Sequence, residues 1–355
     1  MKPTEQLHAL GQRIWLDNIT RSMLDDGTLA RYIREHALTG LTSNPTIFQK
    51  AMASGTAYDA DIAAANAGTD TEALFVSLAL ADLARAADLF APAHQRSGGM
   101  DGWVSMEVSP LLADDAEATL QAVLQLHAQG QRDNLFIKIP GTAAGVQAIE
   151  DATHAGVPVN VTLLFSREQT LAAAQARMRG LERRLAEGKD VNVHSVLSLF
   201  VSRWDVAVHE QAPAGLQNQL GIAMAHRTWH AWQELQQGER WQRLKAAGAP
   251  VQRMLWASTG TKDPHASDVL YVEALALANT INTIPEKTLL AFADHGRVDS
   301  GDAPDRAGCE QVIARFEQAG VDVAAVAEQL QREGASAFVK SWQALMQGLQ
   351  SKRKA

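Results

Sequence analysis

Eight short apolar runs, each followed by a stretch of helical pattern, set the tightest limit on how this 355-residue chain can fold. They are "RIWLDNI" (13–19), "ALTGLTS" (37–43), "GWVSMEVS" (102–109), "NLFIKIP" (134–140), "PVNVTLLFS" (158–166), "NVHSVLSLF" (192–200), "RMLWAST" (253–259) and "ANTINTIP" (278–285). Between them, segments such as "TLARYIREHA" carry apolar residues at helical spacing. Another, "DDAEATLQAVLQLHAQG", opens on an acidic turn and stops at a glycine. Strand alternating with helix builds a mostly parallel sheet. Eight such units favour a closed barrel over an open doubly wound sheet, and the usual barrel of about 250 residues leaves room here for insertions. The expected architecture is a single α/β domain over 1–355, a (β/α)8 TIM barrel with extra helices. The inserted helices fall around 44–101 and 201–252, and C-terminal helices over 286–355.

Composition excludes several classes of function. The net charge is −8 and no basic stripe is present, so a nucleic-acid partner is not expected. No run of about 20 apolar residues occurs, so no membrane-spanning segment is expected. The N-terminus lacks an apolar leader pattern, and the expected location is the cytoplasm. A single cysteine, Cys309, rules out an internal disulfide framework and reads as an inert small residue. There is no GxGxxG and no HExxH. His226 and His230 share a helix face but have no evident third ligand, so no metal is expected.

In a barrel of this kind, chemistry gathers at the C-terminal ends of the strands. The first run ends on Asp17 and Asn18, and the second on Thr42, Ser43 and Asn44. The third carries Glu107 and Ser109, and the fourth Lys138. The fifth carries Asn160 and Thr162, two apart and so on one face. Ser198 with Arg203 beyond it follows from the sixth, and Ser258 with Lys262 from the seventh. Any one of these has a bland reading: a structural hydrogen-bonder, a turn, or a lysine that snorkels. The informative feature is that Asp, Glu and Lys stand on three strands of one barrel.

Lys138 is the odd residue, an ammonium among Phe136, Ile137, Ile139 and Pro140. Lysine is seldom buried unless it is paired or used. A desolvated amine gives up its proton more readily, whereas an ion pair favours the charged form. A neutral amine attacks a ketone or aldehyde to form a Schiff base. The iminium then serves as an electron sink for breaking the neighbouring C–C bond. One carboxylate is needed at the hydroxyl that becomes a carbonyl, and another where water is handled. Asp17 and Glu107 suit those roles, and no metal or cofactor is required. Arg203, Ser258 and Lys262 follow late strands, where barrel phosphate sites are often built.

Together these segments resemble the transaldolase family in its longer bacterial form. The resemblance spans nearly the whole chain. It rests on "IWLDNITRSMLDDGTL", "GLTSNPTIF", "VSMEVSPLLADD", "FIKIPGTAAG", "PVNVTLLFS", "SLFVSRWD" and "LWASTGTKDP" followed by "YVEAL". It implies a (β/α)8 barrel of the pentose phosphate pathway. The implied reaction moves a dihydroxyacetone unit from sedoheptulose 7-phosphate or fructose 6-phosphate to glyceraldehyde 3-phosphate or erythrose 4-phosphate. It further implies Lys138 as the Schiff-base lysine, Asp17 as acid and base, and Glu107 with Thr162 as holders of the catalytic water. Asn44, Asn160 and Ser198 would bind the dihydroxyacetone hydroxyls, and Arg203 and Ser258 the phosphate. Shorter transaldolases carry arginine where this chain has Gly260, and Lys262 is the expected substitute. Leu199 replaces a proline found in many relatives. The implied partners are small sugar phosphates, and the sequence is compatible with a monomer or a homodimer. The Trp-rich segment with Trp229, Trp232 and Trp241 reads equally as core or interface.

Two rival readings remain at this stage. Free fructose-6-phosphate aldolases share the lysine. They are shorter, lack the glutamate at the Glu107 position and carry tyrosine where this chain has Phe200. A non-catalytic sugar-phosphate binder would keep the phosphate residues and could lose the lysine or an acid.

Overall fold

The computed structural model of the chain describes residues 1–53, 55–66, 68–299 and 305–354. Each of the eight apolar runs contains a strand: β1 Arg13–Leu16, β2 Leu38–Leu41, β3 Val104–Glu107, β4 Leu135–Pro140, β5 Val159–Leu164, β6 Ser195–Phe200, β7 Arg253–Ala257 and β8 Ile281–Ile284. All pair in parallel, in the order β2-β1-β8-β7-β6-β5-β4-β3. The ring closes where Gly40 on β2 bridges Trp103 just before β3. There Leu41 N donates to Trp103 O at 2.9 Å and Gly102 N to Thr39 O at 2.7 Å. The seam needs glycine at position 40. A Cβ there would lie 2.6 Å from Trp103 O and 2.7 Å from the Trp15 indole. The result is the (β/α)8 barrel that the sequence pattern predicts.

Period-two alternation lines the barrel interior with two layers of opposite character. The lower one is apolar. Trp103 stacks on Phe136 with ring centroids 3.9 Å apart, Trp15 leans on Phe136 at 6.1 Å, and Val196, Leu255 and Ile281 complete the cluster. Beneath it Asp101 joins Arg13 (2.7 Å) and Arg253 (2.9 Å). Burial pushes the Asp101 carboxyl up, but Arg253 and Arg13 together hold it below the usual carboxylate range. One pleat step higher stand Asp17, Ser105, Lys138, Asn160 and Ser198.

The connecting helices start at side-chain caps. Ser166 and Gln169 form a capping box for helix Arg167–Ala186, and Thr142 Oγ accepts from Gly145 N to start helix Ala143–Ala155. The interval 44–101 holds helices Pro45–Ala53, Asp59–Ala64 and Thr71–Arg96. The interval 201–252 holds Ser202–Ala207, Leu220–Gln237 and Glu239–Ala246. Trp229, Trp232 and Trp241 are all buried within the chain itself, and Trp232 Nε1 donates to Gln252 O at 2.8 Å. His226 is turned to the Ala274 carbonyl at 3.2 Å. Cys309 is buried, its thiol near Arg306 O at 3.2 Å.

Over the C-terminal stretch lie helices Glu286–His295, Arg306–Gln318 and the 32-residue Val323–Lys354, while residues 300–304 fall outside those described. The last helix crosses the rim of the barrel mouth. Gln331 Nε2 donates to Gly141 O and Leu163 O, both at 2.9 Å, so it ties the ends of β4 and β5 together. Further along, Ser341 meets Thr46 at 2.8 Å, and Trp342 meets Phe75 edge-on at 5.1 Å. Among the described residues no helix is long and apolar enough to cross a membrane.

Candidate active site

Lys138 projects from β4 into the upper layer and is 5% exposed. Its Nζ donates to Glu107 Oε2 at 3.1 Å and to Ser43 O at 3.0 Å. The lysine is therefore both buried and paired. The β3–β4 register places Glu107 directly opposite Lys138, which is why two inward-facing residues on neighbouring strands meet. Burial pushes the Glu107 carboxyl upward, Lys138 draws it back, and the like charge of Asp17 pushes it up again.

Asp17 follows β1 and its backbone N–H donates to Ile284 O at 2.9 Å. Its Oδ1 accepts from Thr42 Oγ at 2.8 Å. Burial pushes this carboxyl above the ordinary range. Opposing that shift, in falling order, are Lys138, the Thr42 hydrogen bond, Lys262 and Arg203. Three cations, Lys138 on β4, Arg203 on the helix after β6 and Lys262 on the loop after β7, thus face one carboxylate around the same mouth.

Across from them, Ser198 Oγ donates to Asn160 Oδ1 at 2.7 Å, and Asn160 Nδ2 donates to Ser105 Oγ at 3.2 Å. Thr162 is fully buried, and its hydroxyl has no protein partner among the described residues. The residue after it, Leu163, has φ +56° at an irregularity in the β5–β6 register. A bulky residue in the left-handed region is uncommon and costs of order 1–3 kcal/mol. The bulge sends the Leu163 side chain outward to the C-terminal helix near Gly334 and aims its carbonyl at Gln331.

Asn44 sits at the rim, where its Oδ1 accepts from Ile47 N at 3.0 Å and caps helix Pro45–Ala53. Ser258 directly follows β7 with φ +55°, and its hydroxyl is 3.0 Å from that of Ser202. Arg203 lies over the Phe200 ring at 5.0 Å, and burial lowers its pKa. Lys262 is exposed on the loop after Ser258. Its Nζ lies 3.9 Å from where a Cβ on Gly260 would be. The structure thus brings Asp17, Glu107, Lys138, Asn160, Thr162 and Ser198 into one pit. Asn44, Arg203, Ser258 and Lys262 stand on its rim.

Sequence reasoning located β8 but passed over its polar residues. Thr283 meets Thr42 at 2.6 Å, and Asn282 Oδ1 accepts from Thr259 Oγ at 2.7 Å, which anchors the loop carrying Ser258. Thr283 does not stand out in the sequence, because threonine is an ordinary strand residue. The signal available was strand order, since closure of a barrel must set β8 beside β1.

A family profile described as transaldolase/fructose-6-phosphate aldolase matches residues 14–349. The chain belongs to the transaldolase family. It is 43% identical to the transaldolase of Thiobacillus denitrificans over 357 residues, covering 98% of this chain and 99% of that one. It is 39% identical to transaldolase 2 of a Nostoc species over 98% of this chain and 97% of that one. The Neisseria gonorrhoeae transaldolase is 39% identical over 95% of this chain and 97% of its own. The transaldolase match therefore takes in the barrel, both inserted helical intervals and the helix that crosses the mouth.

Proposed function

We propose that this transaldolase moves a dihydroxyacetone unit between sugar phosphates through a Schiff base on Lys138. The donor would be sedoheptulose 7-phosphate or fructose 6-phosphate, and the acceptor glyceraldehyde 3-phosphate or erythrose 4-phosphate. The observation that carries this reading is the buried Lys138–Glu107 pair, 3.1 Å long, with Asp17 beside it in the same pit. An amine between two carboxylates of raised pKa has a proton acceptor on either side.

In the proposed cycle Glu107 takes the ammonium proton, and the freed Lys138 amine attacks the ketose carbonyl. Glu107 and Thr162 hold the water that leaves as the carbinolamine becomes an iminium. The partnerless buried hydroxyl of Thr162 suits such a ligand. Asp17 then removes the proton of the hydroxyl on the far carbon of the bond to be broken, the carbon that becomes the aldehyde. That bond's electron pair moves into the iminium, an aldose leaves, and an enamine remains on Lys138. The acceptor aldehyde takes the enamine in the reverse sequence, and hydrolysis frees the new ketose.

Asn44, Asn160 and Ser198 would hold the dihydroxyacetone hydroxyls. Arg203, Ser258 and Lys262 would hold the phosphate, with Lys262 reaching back toward the position where shorter relatives carry arginine. Glu107 and the phenyl ring of Phe200 favour transfer over release of free dihydroxyacetone. We further propose a single-domain enzyme that works in the cytoplasm.

The test is a two-substrate assay with fructose 6-phosphate and erythrose 4-phosphate, products identified by mass spectrometry. Formation of sedoheptulose 7-phosphate and glyceraldehyde 3-phosphate supports the reading. Release of free dihydroxyacetone without transfer would replace it with an aldolase.

A further inference from the structure

Asp17 stands at the end of a chain of hydroxyls that begins on the eighth strand. Thr42 Oγ donates to Asp17 Oδ1 at 2.8 Å, and the Thr42 and Thr283 hydroxyl oxygens lie 2.6 Å apart. Both threonines are buried, at 2% and 3% exposure. A threonine hydroxyl has one proton to give. The Thr42 proton is committed to Asp17, so Thr283 must be the donor in the shorter bond. In the reverse polarity the Thr283 proton would point at no other acceptor among the described residues. Strand order explains the meeting: β1 lies between β2 and β8, Asp17 and Thr42 directly follow β1 and β2, and Thr283 lies one residue before the end of β8.

We propose that Thr283 is a positioning residue for Asp17. Acting through Thr42, it holds a hydrogen bond on Oδ1 and so turns Oδ2 toward the substrate hydroxyl as the oxygen that takes its proton. The proposal rests on Asp17 being the base of the reaction. In the step itself the hydroxyl proton passes to Oδ2, and the C–C electron pair goes to the iminium. Both threonine protons stay where they are. A carboxylate that accepts a fixed hydrogen bond on one oxygen is orientated as well as stabilised in its ionised form.

The charged groups facing Asp17 are Lys138 on β4, Glu107 on β3, Lys262 after β7 and Arg203 on helix Ser202–Ala207. Substituting Thr283 alters none of these charges, so a pH shift would report the hydroxyl chain alone.

The experiment compares Thr283→Val, Thr283→Ala and Thr283→Ser with Asp17→Asn in the full chain. It measures kcat, both KM values and the pH profile, with folding checked by circular dichroism. Thr283→Val and Thr283→Ala should lower kcat by about tenfold, with each KM within about twofold. Losing the donor weakens the bond that favours ionised Asp17, so the acid limb of kcat should move to higher pH. Thr283→Ser should restore both rate and limb. A folded Thr283→Val or Thr283→Ala enzyme with unchanged kcat and acid limb, beside an inactive Asp17→Asn, overturns the relay and leaves Asp17 as base. An active Asp17→Asn enzyme overturns the base assignment and the relay with it.

Discussion

The two layers inside this barrel are built on the same strands, two residues apart, and do opposite things. Trp15 on β1 and Asp17 just past it share one face, as do Trp103 just before β3 with Ser105 and Glu107 on it, and Phe136 and Lys138 on β4. In the lower layer, aromatic rings fill the bore and make no demand for polar partners beyond a few N–H groups. In the upper layer the same geometry brings a lysine, two acids, an asparagine and several hydroxyls together. Burial of such groups opposes folding unless each finds a partner. Most do find one, through Lys138–Glu107, Thr42–Asp17 and Ser198–Asn160. The lower layer therefore supplies the stability that lets the upper layer hold charge out of water.

If that division holds, damage to the two layers should separate cleanly. The largest effect is expected from Lys138→Met, which keeps the stem and removes the amine. Turnover should fall by roughly 10,000-fold or more per folded molecule, with some loss of melting temperature because Glu107 is left without its buried partner. Steady-state kinetics beside a thermal melt would show it. In the lower layer, Trp103→Ala should cost about 3–5 kcal/mol of stability. Any folded fraction, quantified in a urea titration, should retain kcat within a few-fold. Equal damage to kcat per folded molecule would show that the layers are not separable.

Glu107→Gln sharpens the comparison within the upper layer. It should lower kcat by roughly 100-fold, the scale of one acid–base group. Burial raises the pKa of Asp17, and a like charge on Glu107 repels it as much as Asp17 repels Glu107. Removing that charge lets Asp17 ionise at lower pH. The acid limb of the residual activity should therefore move down, the opposite of the shift expected for Thr283→Val. A pH–rate profile of both variants checks the sign.

The smallest effect belongs to the rim. A Cβ on Gly334 would lie 2.8 Å from Leu163 Cδ2 and 3.2 Å from Arg203 Nη1, both ends of flexible side chains. Gly334→Ala should raise the KM for phosphorylated substrates by about twofold and leave kcat alone. An unchanged KM would detach the C-terminal helix from the phosphate side of the site.

The lower layer and the strands were legible in the sequence because period-two apolar runs have few other uses. Asp17, Glu107 and Lys138 were legible because charges in such runs are rare. The strands are shorter than the runs: β1 stops at Leu16, since Asp17 and Asn18 already turn toward the mouth. What stayed hidden depends on ring closure. The Thr42–Thr283 bond spans 241 residues, and nothing local marks Thr283 as the partner of Thr42. The left-handed Leu163 was equally silent, because its conformation is imposed by the bulge and by Gln331 on a helix far along the chain. An amphipathic C-terminal pattern announces a helix but not the rim it crosses.

The central claim is that the one lysine of the upper layer is the nucleophile. It is tested most directly by borohydride trapping with fructose 6-phosphate in the absence of acceptor, read by peptide mass spectrometry. The account predicts a reduced three-carbon adduct on Lys138, and none when Lys138→Met protein is treated alongside. Folded protein that yields no adduct, or an adduct on another lysine, would contradict it.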